Sequence, residues 1–518
     1  MRWAGGGKDW PEAGASRKGC CRMSQVAQAG QKMAAAGGAI GGTVGAELAA
    51  SPAVRAAVDA IVREVKAASA KITDVRGPKP ELAESYEAFM KRAAEVRGRA
   101  LLYPYLGSGA GNGALVELMD GSVKWDMISG IGVQFFGHSD PDMVGTAVAA
   151  GTADVLQHGN LQSGWEAYEF AETLLAEARK TSRLRYLYPT TSGAMANENA
   201  LKVCYQKVGG AVGSAPRVIA FKDCFMGRTV TMSQIGDSAA NRVGLPLSTL
   251  VDYIPFYDEY VARQMGGPGK FIDMAVARLW EYIERYPRQH ACFIFELVQG
   301  EGGFNTAPRE FFTALMEVCR GAGIAVWDDE IQTFGRLERM FAYETLDLGE
   351  YIDVLCVGKM TQACATLYTE EFNPGPGLLS GTFTSTTPAF RMGTRVIQRL
   401  RDGGYYGENG SIARHYRAFA EGVRAIAAKH PEWFPGAPVV DIVGGRGGMM
   451  RFTPLGGVKE KVVGACRHLF DAGVIVFYAG HGPYHVRMLP PLGVMREEDW
   501  PRVMACVEAG LARAHGAG

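Results

Sequence analysis

The chain has 518 residues, 47% apolar and 21% charged, the proportions of a soluble globular protein with room for two or three domains. Its 54 Lys and Arg balance 54 Asp and Glu, so no net field draws it to nucleic acid or to an anionic membrane. Ten cysteines without a C-x-x-C pair argue against a metal site or disulfide framework and for reduced thiols in the cytoplasm. Residues 1–50, rich in Gly, Ala and Gln, are expected to be a disordered extension, with Met23 and Met33 as alternative starts. The basic N-terminal residues precede no apolar segment of a secretory signal. No apolar run reaches the roughly 18 to 20 residues of a membrane span.

Residues 51–150 read as the N-terminal part of a small domain. Ala and Val recur at helical spacing over 53–70, and 113–134 read as a hairpin turning at Asp120-Gly121. Over 151–390 short apolar strands (Leu184–Tyr188, Arg217–Phe221, Ala291–Leu297, Ile324–Trp327, Val354–Val357) alternate with helical stretches such as Ala194–Val208 and Pro308–Ala322. That alternation predicts an α/β domain with a mostly parallel sheet and helices on both faces. Beyond residue 390 a long helical stretch precedes Val439–Val443, Gly448–Phe452, Val474–Phe477 and His485–Leu489, which suggests an α+β domain over 391–518.

The segment Ile324–Arg336, I-A-V-W-D-D-E-I-Q-T-F-G-R, runs a doubly buried strand into three carboxylates, Asp328, Asp329 and Glu330. Buried carboxylates need a cation or strong donors, and this segment supplies none before its end. The partner must come from elsewhere in the chain or from a ligand. Ligands of such sheets bind beyond the strand ends, which gathers Thr190–Ala194, Glu296–Gly303 and Asp328–Gln332 on one rim. T-T-S-G-A offers free N–H groups and a helix dipole to an anion, and reads equally as an ordinary N-cap. Taken singly, Lys359 reads as a solvated rim lysine, Phe225 as a core aromatic, and Arg228 and Arg487 as surface residues.

Six stretches in order carry a resemblance: S-G-A-M-A-N-E-N-A-L-K (192–202), F-M-G-R-T (225–229), E-L-V-Q-G-E-G-G (296–303), D-E-I-Q-T-F-G-R (329–336), V-G-K (357–359) and V-R-M-L-P-P-L (486–492). Over roughly residues 80 to 510 the chain resembles the class III (ω-) aminotransferases, fold type I enzymes that use pyridoxal 5′-phosphate. The resemblance implies a large domain built on a mostly parallel seven-stranded sheet, a small α+β domain from both chain ends, and a homodimer with sites at its interface. Asp329 would face the ring nitrogen and keep it protonated. Lys359 would form the Schiff base and shuttle the proton. Ser192, Gly193 and Ala194 would bind the phosphate, with Thr382 supplied by the neighbouring subunit. Phe225 would stack on the ring, and Gln332 would reach the ring hydroxyl.

Arg228 matches the arginine that holds a distal carboxylate, and Arg487 the one that takes the α-carboxylate of glutamate or 2-oxoglutarate. Glu301 matches a gate that pairs with Arg487 while an ω-amine donor is bound. The chain departs from the family where a Gly is missing before Phe334, at Met195 and Met226, and in the short, Gly-poor stretch between Lys359 and Thr382. Ile131 stands where ornithine δ-aminotransferases carry Tyr, which favours acetylornithine or 4-aminobutyrate over ornithine. The expectation is a cytoplasmic, homodimeric aminotransferase moving an amino group from an ω-amino compound to 2-oxoglutarate. The rivals are an aminomutase of the glutamate-1-semialdehyde type, which needs no gate, and a non-catalytic relative, which would not need Lys359 and Asp329.

Overall fold

The computed structural model describes residues 42–101 and 103–516. Most of the expected disordered extension therefore lies outside the described residues; within them, α1 (Val44–Ala50) is a short helix capped by Thr43 that buries no residue. Next come α2 (Pro52–Ser69), opening on Pro where no N–H is needed, and α3 (Ala83–Arg97), closed by Gly98 at φ 71. The strands β1 (Gly107–Asn112), β2 (Leu115–Leu118) and β3 (Val123–Asp126) follow. β2 and β3 form the expected antiparallel hairpin around Asp120-Gly121, with Gly121 at φ 77. The hairpin is shorter than 113–134: past Asp126 the chain leaves the sheet for a turn at Ser129–Gly132.

The large sheet takes its strands from the middle of the chain. In order come β4 (Leu184–Thr190), α4 (Gly193–Cys204), β5 (Arg217–Phe221), β6 (Leu250–Ile254), α5 (Pro268–Arg285) and β7 (His290–Phe295). Then follow α6 (Arg309–Gly321), β8 (Ala325–Glu330), β9 (Val354–Val357) and β10 (Cys364–Thr369). The seven strands lie in the order β4-β10-β9-β8-β7-β5-β6. β10 runs against its neighbours β9 and β4, while the pairs among the other strands are parallel. The reversal follows from length: residues 358–363 are too few for a parallel crossover, which needs a dozen or more.

Side-chain alternation divides the sheet's surroundings into two layers. Phe293, Phe295 and Phe221 pack with Phe311 and Phe312 of α6, the Phe221 and Phe311 rings 5.5 Å apart. Cys292, Ile294, Ala325 and Trp327 face the other layer, with Ala196, Ala200 and Cys204 of α4. Each fully buried phenylalanine contributes about 1.5–3 kcal/mol, so the aromatic layer anchors the strands whose ends form the rim.

The C-terminal part adds α7 (Thr387–Asp402), α8 (Ser411–Lys429), β11 (Val443–Arg446), β12 (Met449–Phe452) and α9 (Lys459–Asp471). It closes with β13 (Val474–Ile475), β14 (Phe477–Ala479), β15 (His485–Met488) and α10 (Trp500–Gly516). β13 lies parallel to β3 and completes the N-terminal sheet, whereas β11-β12-β15-β14 make an antiparallel sheet. Two expectations are corrected here. Val439–Val443 is strand only from Val443 on, and Val474–Phe477 is broken at Val476 between two different sheets.

Candidate active site

β8 explains its three carboxylates by alternation. Trp327 and Asp329 point to the α4 layer, while Asp328 and Glu330 point with Val326 to the opposite one. On that opposite side Glu330 accepts a hydrogen bond from the Tyr343 amide at 2.9 Å. Burial and the neighbouring Glu330 push Asp328 well above the usual carboxylate range, and neither of its oxygens has a hydrogen-bond partner among the described residues. Asp329 meets Asn197 of α4 instead: Nδ2 donates to Oδ2 at 2.7 Å, and the Ile331 amide donates to Oδ1 at 3.0 Å. Burial raises the Asp329 pKa to about 6, opposed by Asn197, Ile331 and Lys359.

Register places Lys359 beside this carboxylate. Asp329 pairs with Cys356 and Glu330 with Val357, so Lys359 emerges two residues past the end of β9 on the same rim. Its backbone takes φ 52, in the left-handed region, as the chain turns back toward β10. Burial lowers the Lys359 pKa to about 8; Glu301 opposes that, Arg487 adds to it, and Asp329 and Glu296 oppose it. Four titratable groups from three other chain segments thus act on this one amine.

The expected anion end lies at the start of α4. Ser192 is the N-cap, with extended backbone, and its Oγ accepts from the Met195 amide at 3.2 Å. Gly193 is packed so that a Cβ would stand 2.8 Å from Ile331 Cδ1, and Ala194 touches the turn at Gly227. Phe225 is half-buried, with its amide donating to Glu296 Oε1 at 3.0 Å and the Arg228 guanidinium 5.4 Å from its ring centre. Arg228 is exposed and donates to Asn241 Oδ1 at 2.7 Å. Gln332 is buried beside Gly300, and its Oε1 has no partner among the described residues.

Thr382 stands apart from these groups. It is exposed, in a segment held to the 157–162 stretch by the Asn160 amide donating to the Gly381 carbonyl at 3.1 Å. The two residues expected to form a gate are in contact: Arg487 Nη2 donates to Glu301 Oε1 at 2.7 Å, with Arg487 fully buried and Glu301 about one-third exposed. Ile131 sits in the turn Ser129–Gly132 at φ 62, ψ 51, unusual for a β-branched residue.

Sequence reasoning assigned no role to two residues that the structure places here. Asn197 holds Asp329 and also donates to the Met226 carbonyl at 2.8 Å. Glu296 accepts from Phe225 and, at 2.8 Å, from the Gly300 amide, joining the loop at Phe225 to the loop that carries Glu301; burial raises its pKa to about 8. A signal for Glu296 was available, because it ends the apolar run of β7 as Asp329 ends that of β8.

Residues 104–508 match the profile of the family described as aminotransferase class-III. A 4-aminobutyrate aminotransferase of Mycobacterium tuberculosis is 28% identical over 454 residues, covering 82% of this chain and 94% of that protein. A diaminobutyrate–2-oxoglutarate transaminase of Oceanobacillus iheyensis is 27% identical over 414 residues, covering 76% and 89%. Among solved structures, a lysine aminotransferase from M. tuberculosis superposes with a TM-score of 0.70 at 22% identity, over 82% of this chain and 99% of that one. The chain therefore belongs to the class III aminotransferases, pyridoxal-phosphate-dependent transaminases of fold type I.

Proposed function

We propose that this enzyme takes the amino group of an ω-amino compound, with N-acetylornithine and 4-aminobutyrate as leading donors, and passes it to 2-oxoglutarate to give glutamate. The observation that carries this reading is the Glu301–Arg487 pair, formed at 2.7 Å within the electrostatic reach of Lys359. A site that must accept an α-carboxylate in one half-reaction, and an amine without one there in the other, needs an arginine that can be neutralised. An aminomutase needs no such pair. Relatives named for diaminobutyrate, 4-aminobutyrate and acetylornithine fit the same substrate class.

The residues present suit pyridoxal 5′-phosphate. Asp329 is a buried carboxylate that favours a cation opposite it, and Gln332 Oε1 and Asn197 Oδ1 have no partner among the described residues. Lys359 would hold the cofactor, Asp329 would face its ring nitrogen, Phe225 would stack on it, and the amides at Ser192–Ala194 would take its phosphate. When bound, the cofactor supplies an electron sink for the bonds of the amine-bearing carbon. Lys359 Nζ, its pKa lowered to about 8 by burial, would move the proton between that carbon and the cofactor, in one direction in each half-reaction. Asn197 keeps Asp329 oriented and favours its ionised form. Arg487 and Arg228 orient the two carboxylates of 2-oxoglutarate, so the reacting carbon reaches Lys359 in one pose.

Thr382 lies exposed near Phe383 and Leu161, in keeping with a second subunit packing there and receiving Thr382 into its own phosphate site. The test is a panel of 4-aminobutyrate, N-acetylornithine, 2,4-diaminobutyrate and lysine with 2-oxoglutarate, with glutamate formation as the readout. Turnover of an ω-amine is expected. Isomerisation of an amino aldehyde without glutamate formation would overturn the reading in favour of the mutase.

A further inference from the structure

Arg336, the last residue of D-E-I-Q-T-F-G-R, is fully buried, yet no carboxylate pairs with it among the described residues. Nη1 donates to the Pro490 carbonyl at 3.1 Å, while Nε and Nη2 have no partner among the described residues. The guanidinium lies 5.8 Å from the Phe135 ring centre. A buried cation without a counter-charge is costly, and an apolar residue of similar volume would fill the space without that cost. Its contacts are with backbone and with the turn beside it, which is a role in geometry.

That geometry concerns the turn Ser129–Gly132. Four successive residues are left-handed: Ser129 at φ 49, Gly130 at φ 64, Ile131 at φ 62 and Gly132 at φ 83. Such backbone persists only where its surroundings over-determine it. From one side Asp126 Oδ1 accepts the Ile128 and Ser129 amides at 3.1 and 2.8 Å. From the other side stands Arg336: a Cβ on Gly132 would lie 3.1 Å from its Nε and 3.4 Å from Leu489 Cδ1. Arg336 therefore bridges the turn that carries Ile131 and the Leu489-Pro490 segment, which directly follows Arg487 and Met488 at the end of β15. The Leu489 amide donates to the Met127 carbonyl at 2.7 Å and closes the same bridge.

We propose that Arg336 is a positioning residue that fixes the left-handed Ile131 turn against the Arg487 strand end and so sets the length of donor the site accepts. This rests on the reading of Ile131 as a wall of the donor site.

The experiment compares Arg336→Met, Arg336→Lys and Ile131→Ala with the native holoenzyme. It measures donor and glutamate half-reactions in single turnover, thermal unfolding, and the visible spectrum of the bound cofactor. Arg336→Met should stay folded with an unchanged spectrum and react with glutamate within about threefold of native. Its kcat/KM ratio between 4-aminobutyrate and N-acetylornithine should move by about tenfold, mainly through KM. Ile131→Ala should move the ratio in the same direction, the double variant no further, and Arg336→Lys should restore part of the native ratio. A fall in all donors and glutamate by one common factor would overturn the proposal, as would an unchanged ratio in a folded variant. If Arg336→Met does not fold, Arg336→Lys and Ile131→Ala decide by the same ratio. Failure of the native enzyme with every ω-amine would instead count against the proposed function.

Discussion

Arg487 satisfies one N–H through Glu301, while its Nε and Nη1 have no partner among the described residues. Removing one partner of a buried pair costs about 3–5 kcal/mol; with Glu301 about one-third exposed, solvent screens part of that. Glu301→Ala should leave the glutamate half-reaction intact or faster and slow the ω-amine half-reaction by about tenfold, a difference of about 1.4 kcal/mol. Arg487→Ala should lose glutamate and 2-oxoglutarate first. Single-turnover rates for both halves check this, and equal losses in both would make the pair structural.

Lys359 yields a second prediction at this scale. Burial lowers its pKa to about 8, so below that pH the amine is mostly protonated and above it mostly free to add to an aldehyde. The rate at which apo-protein takes up pyridoxal 5′-phosphate, followed by absorbance, should therefore rise with pH through about 8. Peptide mapping after borohydride reduction should find the label on Lys359.

Among elements, the contact between the start of α4 and the turn at Gly227 would position the proposed phosphate site. Gly227 has φ 124, and a Cβ there would stand 2.7 Å from Ala194 Cβ. Gly227→Ala should destabilise the fold by on the order of 1–3 kcal/mol through backbone strain. It should also speed cofactor release, because the clash pushes on the first turn of α4. Thermal unfolding and dialysis against cofactor-free buffer measure the two effects.

How far the sequence could be read also shows at this level. β5 and β9 were legible residue for residue, and β4 and β7 nearly so, because each is a short apolar run; β8, expected over Ile324–Trp327, instead runs from Ala325 through its three carboxylates to Glu330. β6 and β10 were not. C-A-T-L-Y-T hides as a strand because its threonines interrupt the apolar run, although Thr366 is fully buried and its hydroxyl donates to the Ala196 carbonyl at 2.7 Å. In L-V-D-Y-I, Asp252 breaks the pattern and is satisfied only in three dimensions, by Arg217 and His290. The carboxylate at Asp329 was picked by resemblance; its environment follows from alternation about Trp327. Asn197 stayed hidden because a helix reaches Asp329 only once the sheet is folded.

For the whole molecule, the proposed dimer would cover the exposed apolar side chains around the Thr382 segment. Leu161 is fully exposed and Phe383 46% exposed, in two segments joined by Asn160 and Gly381. Leu161→Asp should shift the mass measured by sedimentation from dimer toward monomer and lower cofactor retention with it. A native monomer that keeps its cofactor would refute the shared site.

The parallel pairing of β13 with β3 joins Trp125 to Val474 across most of the chain. A ribosome adding about 5–20 residues per second makes β3 tens of seconds before its neighbour exists. Through that interval the β3 edge at Trp125 and Asp126 lacks its partner, since the local Arg76 bridge reaches only Val123, and closing so long a loop is entropically unfavourable. The edge is open to strands of other nascent chains, so the slow, aggregation-exposed step of biogenesis falls at the closure of this small sheet.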